Sequence, residues 1–243
     1  MKFDKMEGLG NDFIVVDGTA DIRPDLVREL CDRRRGIGAD GLLQVRAADG
    51  QIVMGYWNAD GSAAEMCGNG LRCVARYAFD HGLVDDKLFT VRTPRGPLRV
   101  EVREDPRVEL GRVEVGSGFE FENHRFQWVS VGNPHAVALV EDLEREEVAG
   151  IGGRLERSTP GGTNVELAEV RDKMIELKIW ERGVGETLAC GSGMVAAAAV
   201  ARNRGLIDSE VSVTVPGGVG LVELTGDTSY LTGPARYVFA GEI

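Results

Sequence analysis

The chain repeats itself at a constant spacing, and this repeat limits the possible folds more than any other feature. A segment that begins at Tyr56 aligns with a segment that begins at Ile179, at an offset of 123 residues. The positions that coincide are Trp57/Trp180, Cys67/Cys190, Gly68/Gly191, Gly70/Gly193, Ala75/Ala198, Gly82/Gly205 and Asp85/Asp208. Asn11 and Asn133 match at an offset of 122. An offset near half the length of a chain predicts an internal duplication and therefore two similar halves.

Most of each half has the pattern of β-strands. Short apolar or alternating runs bounded by Gly, Pro or Asp favour strands. In the first half these runs are residues 13–17, 42–46, 52–57, 89–93 and 98–102. In the second half they are residues 135–140, 164–170, 174–181, 211–215 and 221–224.

Each half also contains one distinctive helix, directly after a Gly-rich turn. In the first helix, Leu71 and Ala78 share an apolar face, and Arg72 falls on the opposite, polar face. The second helix, at residues 194–201, is apolar on every side and should be the buried axis of its half.

The expected fold is α+β, with two pseudo-symmetric halves. Each half is expected to be a curled mixed or antiparallel sheet around its central helix, with the active site in the cleft between the halves. The predicted domains are residues 1–113, completed by a last strand at about 236–243, and residues 114–235. Gly, Ser and Glu cluster at residues 111–122, where we expect the connection. Pro24 at its start and an Arg-rich end that suits the helix dipole predict a further helix at residues 25–33.

Composition excludes several classes of function. With 28 Lys and Arg against 39 Asp and Glu, the net charge is -11, and no basic patch for a nucleic acid stands out. The longest apolar run has eight residues, well below the ~20 that span a bilayer. The N-terminus lacks the apolar core of a signal peptide. Four cysteines without a CxxC pair and only three histidines argue against a zinc site. We therefore expect a cytoplasmic protein with reduced thiols that binds no nucleic acid, membrane or metal.

The chemistry should lie at the two Cys-Gly-x-Gly turns, which begin at Cys67 and Cys190. A thiol at a helix N-terminus has a lowered pKa, so that it ionises more readily near neutral pH. The free N–H groups of the same turn can bind a carboxylate. If the halves face each other, the two thiols flank one carbon, and one removes a proton while the other returns it to the opposite face. Such a reaction needs neither pyridoxal phosphate nor metal. Cys31 and Cys73 are interpreted as small buried side chains.

Motifs along nearly the whole chain identify a resemblance. They are Gly-Leu-Gly-Asn-Asp-Phe (8–13), Cys-Gly-Asn-Gly (67–70), Val-Gly-Asn-Pro-His (131–135), Gly-Thr-Asn-Val (162–165), Gly-Glu-Thr-Leu-Ala-Cys-Gly-Ser-Gly (185–193) and Thr-Gly-Pro-Ala (232–235). Together they resemble the diaminopimelate epimerases. The resemblance implies a cofactor-independent isomerase, a homodimer, that interconverts LL- and meso-2,6-diaminopimelate for lysine and peptidoglycan synthesis.

The resemblance also implies roles for individual residues. The catalytic residues would be the acid and base Cys67 and Cys190, with His135 close to the thiols and Glu181. The reacting carboxylate would be bound by the turn residues Gly68, Asn69, Gly191 and Ser192. The reacting ammonium would lie near Asn11 and Glu181, and the distant amino-acid end would be held by Asn58, Asn133, Asn164 and Arg182. Gly41 stands where some members of the family have Gln.

Two other functions stay open at this point. A related two-cysteine racemase could act on proline, hydroxyproline or histidine, although the set formed by Arg182 and the asparagines favours a substrate with a second charged end. A non-catalytic binding protein or a thiol redox module is the other alternative. Asn58 and Asn164 could also be turn residues, and His135 could serve a buried backbone group.

Overall fold

A computed structural model describes residues 1–64 and 66–243. The chain divides into two compact units. The first unit comprises Met1–Val108 together with Gly233–Ile243, and the second comprises Glu109–Thr232. Each unit is described separately below.

The described residues form four α-helices and seventeen strands. The elements up to the boundary are β1 (Lys2–Gly8), β2 (Asn11–Asp17), α1 (Pro24–Cys31), β3 (Gly41–Ala48), β4 (Gln51–Asn58), α2 (Gly68–Asp80), β5 (Leu88–Thr93), β6 (Gly96–Glu101) and β7 (Arg107–Gly111). The later elements are β8 (Glu114–Phe121), β9 (His124–Ser130), β10 (Pro134–Leu139), α3 (Val148–Ser158), β11 (Asn164–Arg171), β12 (Met174–Glu181), β13 (Gly185–Thr187), α4 (Gly191–Asn203), β14 (Glu210–Val215), β15 (Gly218–Leu224), β16 (Ser229–Thr232) and β17 (Arg236–Glu242). None of the described helices is long and apolar enough to cross a membrane.

The first unit is a mixed sheet around helix α2. Strand β1 pairs antiparallel with β17 on one side and with β2 on the other. The sheet continues through a parallel β2–β3 pair, an antiparallel β3–β4 pair, a parallel β4–β5 pair and an antiparallel β5–β6 pair. Helix α2 packs against β1, β2, β3, β4 and β6, so that the sheet curls around it. Helix α1 packs against β3 and β4. Its residues Val27 and Leu30 belong to an apolar cluster that also contains Ile14 and Leu42 of the sheet.

The second unit has the same order of strands. Strand β9 pairs antiparallel with β8 and with β10. A parallel β10–β11 pair, an antiparallel β11–β12 pair, a parallel β12–β14 pair and an antiparallel β14–β15 pair follow. The sheet surrounds helix α4, which packs against β8, β9, β10, β11, β12, β14, β15 and β16. Helix α3 packs against β11, β12 and β13. The predicted pair of similar α+β halves, each a curled mixed sheet with a central helix, is confirmed.

The two central helices differ in what they bury. Helix α4 is buried from Gly191 to Ala201, as its apolar sequence predicts. Helix α2 also buries Arg72, which is 0% exposed. The expectation that Arg72 lies on a polar outer face is therefore wrong, because strands enclose this helix from several directions.

Two local predictions also need correction. Helix α1 ends at Cys31, because Asp32 is extended and its carboxylate accepts the N–H groups of Arg34 and Arg35 at 2.7 and 2.9 Å. The segment 111–122 is not a plain connection, since it contains strand β8, which forms a hairpin with β9. There Phe119 stacks on Phe126 with ring centroids 5.6 Å apart. Sequence analysis missed this strand because its glycines and serine are typical of a loop.

Candidate functional site

In the first unit, the predicted turn places Cys67 at the start of α2. Cys67 is the N-cap residue, and its Sγ accepts the backbone N–H of Gly70 at 3.5 Å. The thiol lies 3.4 Å from Oδ1 of Asn11, to which it donates, and Nδ2 of Asn69 donates to the same oxygen at 3.4 Å. The thiol is only partly buried. The structure thus brings together three of the predicted residues, Cys67, Asn11 and Asn69.

A charged group that sequence analysis missed orients Asn11. Nδ2 of Asn11 donates to Asp40 at 2.6 Å, and Asp40 in turn accepts from Arg33 at 2.7 Å. Arg33 also holds both carboxylate oxygens of Asp12, at 2.7 and 3.1 Å. Because a carboxylate can only accept from the amide, Asp40 leaves the oxygen of Asn11 facing Cys67.

The Asp12 carboxylate should make the first unit sensitive to acid. Burial alone would raise the pKa of Asp12, but hydrogen bonds and charge attraction from Arg33 and Lys5 outweigh it and lower the pKa from 3.8 to about 2. The ionised form therefore stabilises the fold fully above pH ~4, and this contribution is lost as the pH falls towards about 2. We expect Asp12→Asn to lower the free energy of unfolding by about 2 kcal/mol at neutral pH. Urea unfolding at several pH values should show a smaller loss between pH ~4 and ~2 in the variant than in the wild type; equal losses would contradict the assignment.

In the second unit, Cys190 occupies the equivalent N-cap position of α4 and is buried. Its Sγ lies 3.5 Å from Oγ of Ser192. Burial, and then the negative charges of Glu181 and Glu166, raise the pKa of Cys190 well above its usual value, although hydrogen bonds from Ser192 and the N–H of Gly193 act in the opposite direction. The expectation of a lowered pKa at this helix N-terminus is therefore wrong for Cys190, because burial and the two carboxylates outweigh the helix end.

Glu181, the last residue of β12, shares this environment. Burial raises the pKa of Glu181, while hydrogen bonds from Thr187 and from the thiol of Cys190 partly offset the effect. The bond from Thr187 Oγ1 measures 2.7 Å. A cationic group of a ligand at this place would favour the ionised forms of both Glu181 and Cys190. The pair is thus suited to an ammonium.

His135 is fully buried between two polar partners. Nδ1 of His135 lies 2.7 Å from Glu166 Oε1, and Nε2 lies 3.1 Å from Oδ1 of Asn133. Nδ2 of Asn133 donates to Ser192 Oγ at 3.2 Å. Glu166, itself 0% exposed, was missed from the sequence. Its signal in the sequence was a charged residue between the apolar residues Val165 and Leu167 of strand β11.

The remaining predicted residues make their hydrogen bonds within their own unit. Asn58 closes a turn, with its Nδ2 donating to Ser62 Oγ at 3.1 Å. Asn164 donates to the carbonyl of Pro134 at 2.8 Å and accepts the N–H of Arg182 at 3.0 Å. The guanidinium of Arg182 donates to the carbonyl of Gly161 at 3.2 Å. Asn58 thus makes the contacts of a turn residue. Asn164 instead joins the backbone at Pro134 to the backbone at Arg182.

The position of Gly41 has no room for a side chain. A Cβ there would lie 2.5 Å from the carbonyl oxygen of Trp57 and 2.8 Å from the ring of Tyr56. A glutamine at this position would therefore require β4 to move away from β3.

The predicted site residues divide between the two units. The first unit contains Asn11, Asn58, Cys67, Gly68 and Asn69. The second unit contains Asn133, His135, Asn164, Glu181, Arg182, Cys190, Gly191 and Ser192. Within each unit, one cysteine at a helix N-terminus contacts a side chain that forms a hydrogen bond with its sulfur.

Comparisons with known proteins agree with the repeat and with these motifs. A family model described as diaminopimelate epimerase matches residues 3–116 and 127–238. Diaminopimelate epimerases of Caldanaerobacter subterraneus subsp. tengcongensis and Corynebacterium aurimucosum are 40% and 41% identical to this chain, and each alignment covers 100% of the chain and 99% of the relative. Among solved structures, a putative phenazine biosynthesis PhzC/PhzF protein of Clostridium difficile has a TM-score of 0.79 at 13% identity, over 100% of this chain and 99% of that one. A hydroxyproline epimerase of Agrobacterium vitis has a TM-score of 0.76 at 13% identity, over 99% and 91%. These structures share the fold.

Proposed function

This chain belongs to the diaminopimelate epimerase family, and from that premise we propose that it interconverts LL- and meso-2,6-diaminopimelate. The reaction belongs to lysine and peptidoglycan synthesis. The observation that carries the proposal is the match of the family model to both halves, each of which starts its central helix at a cysteine. The chain is accordingly an isomerase.

The proposed mechanism uses Cys67 and Cys190 as a base and an acid. The thiolate of one cysteine takes the proton from the α-carbon, and the electron pair of the broken C–H bond moves into the carboxylate to form an enediolate. The thiol of the other cysteine then gives its proton to the opposite face of the carbon. The reverse reaction exchanges the two roles. Support comes from the N-cap position of both sulfurs, where helix N-termini favour negative charge.

The proposed substrate contacts follow from the same helix starts. Backbone N–H groups of Gly68, Asn69, Gly191 and Ser192 would bind the reacting carboxylate and stabilise the growing charge, an effect worth about 3–4 kcal/mol per well-placed donor. The reacting ammonium would lie near Asn11 and Glu181. The raised pKa of buried Glu181 supports this role, because an ammonium would supply the missing positive charge.

The distant amino-acid end of the substrate would be held by Asn58, Asn133, Asn164 and Arg182. The guanidinium of Arg182 suits a carboxylate, which it can bind with two parallel hydrogen bonds. Its backbone N–H is bound by Asn164, and its exposed guanidinium uses Nη1 for the carbonyl of Gly161, so that the other N–H groups can face a ligand directly after β12. His135 would act next to the thiols, which its contact with Asn133 and the contact of Asn133 with Ser192 support.

Deuterium exchange tests the proposal and its substrate together. Purified, chelator-treated protein with reductant and without pyridoxal phosphate is incubated in D₂O with LL-diaminopimelate, proline, hydroxyproline or histidine. We expect deuterium at an α-carbon of diaminopimelate, with conversion to the meso form, and no exchange in the other amino acids. Exchange into proline or histidine but not into diaminopimelate would contradict the proposed substrate. Activity that requires an oxidised protein would favour the thiol redox module.

We also propose a cytoplasmic homodimer. The last strand, β17, pairs antiparallel with β1. Val238 and Phe239 on this strand are 56% and 48% exposed, and exposed apolar side chains that lie next to each other favour association. The four cysteines form no disulfide among the described residues, and this suits the reducing cytoplasm. Residues 1–113 with 236–243, and residues 114–235, would act as the two domains of each subunit.

A further inference from the structure

The turn that follows strand β12 is bound on both sides by one side chain, that of Glu156 in helix α3. Oε2 of Glu156 accepts the indole Nε1–H of Trp180 at 2.7 Å, and Oε1 accepts the backbone N–H of Gly183 at 2.8 Å. An indole nitrogen and a backbone nitrogen only donate, so the direction of both bonds is fixed. Glu156 therefore binds the residue before and the residue after the pair formed by Glu181 and Arg182.

Packing against Trp180 holds helix α3, and with it Glu156, in place. A Cβ on Gly152 would lie 2.5 Å from the Cβ of Trp180, so this close approach of the helix requires glycine. The indole ring also packs against the buried apolar cluster that contains Ile151 and Leu155 of α3. A tryptophan packed in this way still needs a partner for its N–H, and Glu156 supplies it. The apolar contacts thus fix the position from which Glu156 reaches the turn.

The bonds on either side of Arg182 determine the direction in which its side chain leaves the backbone. Its own N–H donates to Oδ1 of Asn164 at 3.0 Å, and the next N–H, that of Gly183, donates to Glu156. The two peptide groups that flank the Cα of Arg182 are therefore both held by side chains of other elements. Because these two groups set the direction of the Cα–Cβ bond, Glu156 and Asn164 together orient the guanidinium.

The neighbouring Glu181 depends less on Glu156. Its carboxylate accepts the hydroxyl of Thr187 at 2.7 Å, and its backbone pairs with Gly185 in the β12–β13 hairpin. These contacts stay in place when Glu156 is changed. Loss of the Glu156 carboxylate should therefore move Arg182 and leave Glu181 near its position.

The first half of the chain lacks this combination of residues. At the offset of 123 that relates the halves, Glu156 corresponds to Arg33 and Arg182 corresponds to Ala59. The tryptophan is common to both halves and stands at Trp57 in the first. The glutamate and the arginine that it orients thus occur together in one half and are both replaced in the other, as expected of two residues with a shared role.

We propose that Glu156 is a positioning residue, which fixes the backbone on the far side of Arg182 and so directs its guanidinium at the distant carboxylate of the substrate. This inference rests on the proposed function, in which Arg182 holds that end. A guanidinium forms two parallel hydrogen bonds with a carboxylate only when its fork is correctly oriented. Glu156 would thus help to determine the preference for a substrate with a second carboxylate.

Proton NMR of the ligand-free protein tests the contacts of Glu156 without any reaction. Trp180→Phe identifies the indole signal of Trp180 among the three tryptophans. Glu156→Gln offers one oxygen in place of two, so we expect the indole N–H or the N–H of Gly183 to exchange with water about 10-fold faster. The matched control is Glu122→Gln, which removes two bonds from Arg154 of the same helix, at 2.6 and 2.9 Å. It should leave both signals unchanged.

Kinetics with diaminopimelate test the role of Arg182. Glu156→Gln should raise KM by about 10-fold with little change in kcat, because the distant end of the substrate is bound equally in the ground state and the transition state. In an Arg182→Met background, the same change should alter kcat/KM by less than about 2-fold, since the group that Glu156 positions is already gone. Glu122→Gln should keep the wild-type KM.

Several results would overturn the proposal. Unchanged N–H exchange in folded Glu156→Gln would do so, and so would a loss confined to kcat or an equal loss of kcat/KM with and without Arg182. If Glu156→Gln does not fold, Glu156→Asp is measured instead, because its shorter side chain cannot reach both N–H groups and the same results are expected. Faster N–H exchange in a protein without epimerase activity would instead reject the proposed function and leave the contacts of Glu156 established.

Discussion

Replacement of either Cys67 or Cys190 with alanine is expected to abolish the conversion of LL- to meso-diaminopimelate, a loss of at least about 10²–10⁴-fold in kcat. The proposed reaction needs a base on one face of the α-carbon and an acid on the other, and neither thiol can act on both faces. Each variant should therefore fail although the other thiol is retained. The measurement is conversion followed by NMR or by chromatography of the stereoisomers.

The other two cysteines provide matched controls for this experiment. Burial raises the pKa of Cys31 to about 11 and that of Cys73 to about 12, and neither residue lies at a helix N-terminus, where free N–H groups could stabilise a thiolate. Cys31→Ala and Cys73→Ala should keep the wild-type rate of conversion in the folded protein. Full conversion by either Cys67→Ala or Cys190→Ala would refute the two-base mechanism.

Replacement of Arg72 with methionine is expected to stabilise the protein by about 1–4 kcal/mol. Arg72 is 0% exposed, its Nε donates to the carbonyl of Pro234 at 3.2 Å, and neither Nη1 nor Nη2 has a hydrogen-bond partner among the described residues. Desolvation lowers its pKa, which is the sign of a charge that is unfavourable where it lies. The corresponding position of α4 is Val195, which shows that an apolar side chain suits this turn of the helix.

Urea unfolding of the Arg72→Met variant checks this expectation, with Arg76→Met as the control on the same helix. Arg76 is only partly buried, and its guanidinium donates to the carbonyl of Arg103 at 2.6 Å. Its replacement should not stabilise the protein. A lower free energy of unfolding in Arg72→Met would contradict the prediction and show that the guanidinium stabilises the folded state. A higher value would confirm that the buried charge destabilises the protein, and its interaction with Cys67 would then be the reason to keep it.

Sequence analysis located the features that depend on short stretches of chain. The repeat predicted two similar halves, and the Cys-Gly-x-Gly turns predicted helices that begin at Gly68 and Gly191. It missed strand β8, whose glycines resemble a loop, and helix α3. Arg72 was misplaced because the pattern of a single helix does not reveal how many strands will cover it.

The sequence by itself therefore determined the duplication and the two cysteine-capped helix starts, because helix capping and apolar periodicity depend on neighbours along the chain. Only the tertiary structure decided which charged groups stand behind the site residues. Asp40 reaches Asn11 across 29 residues, and Glu166 reaches His135 across 31, in each case where a parallel pair, β2–β3 or β10–β11, aligns two distant strands. Strand register places these partners together, and register follows from the packing of the whole sheet.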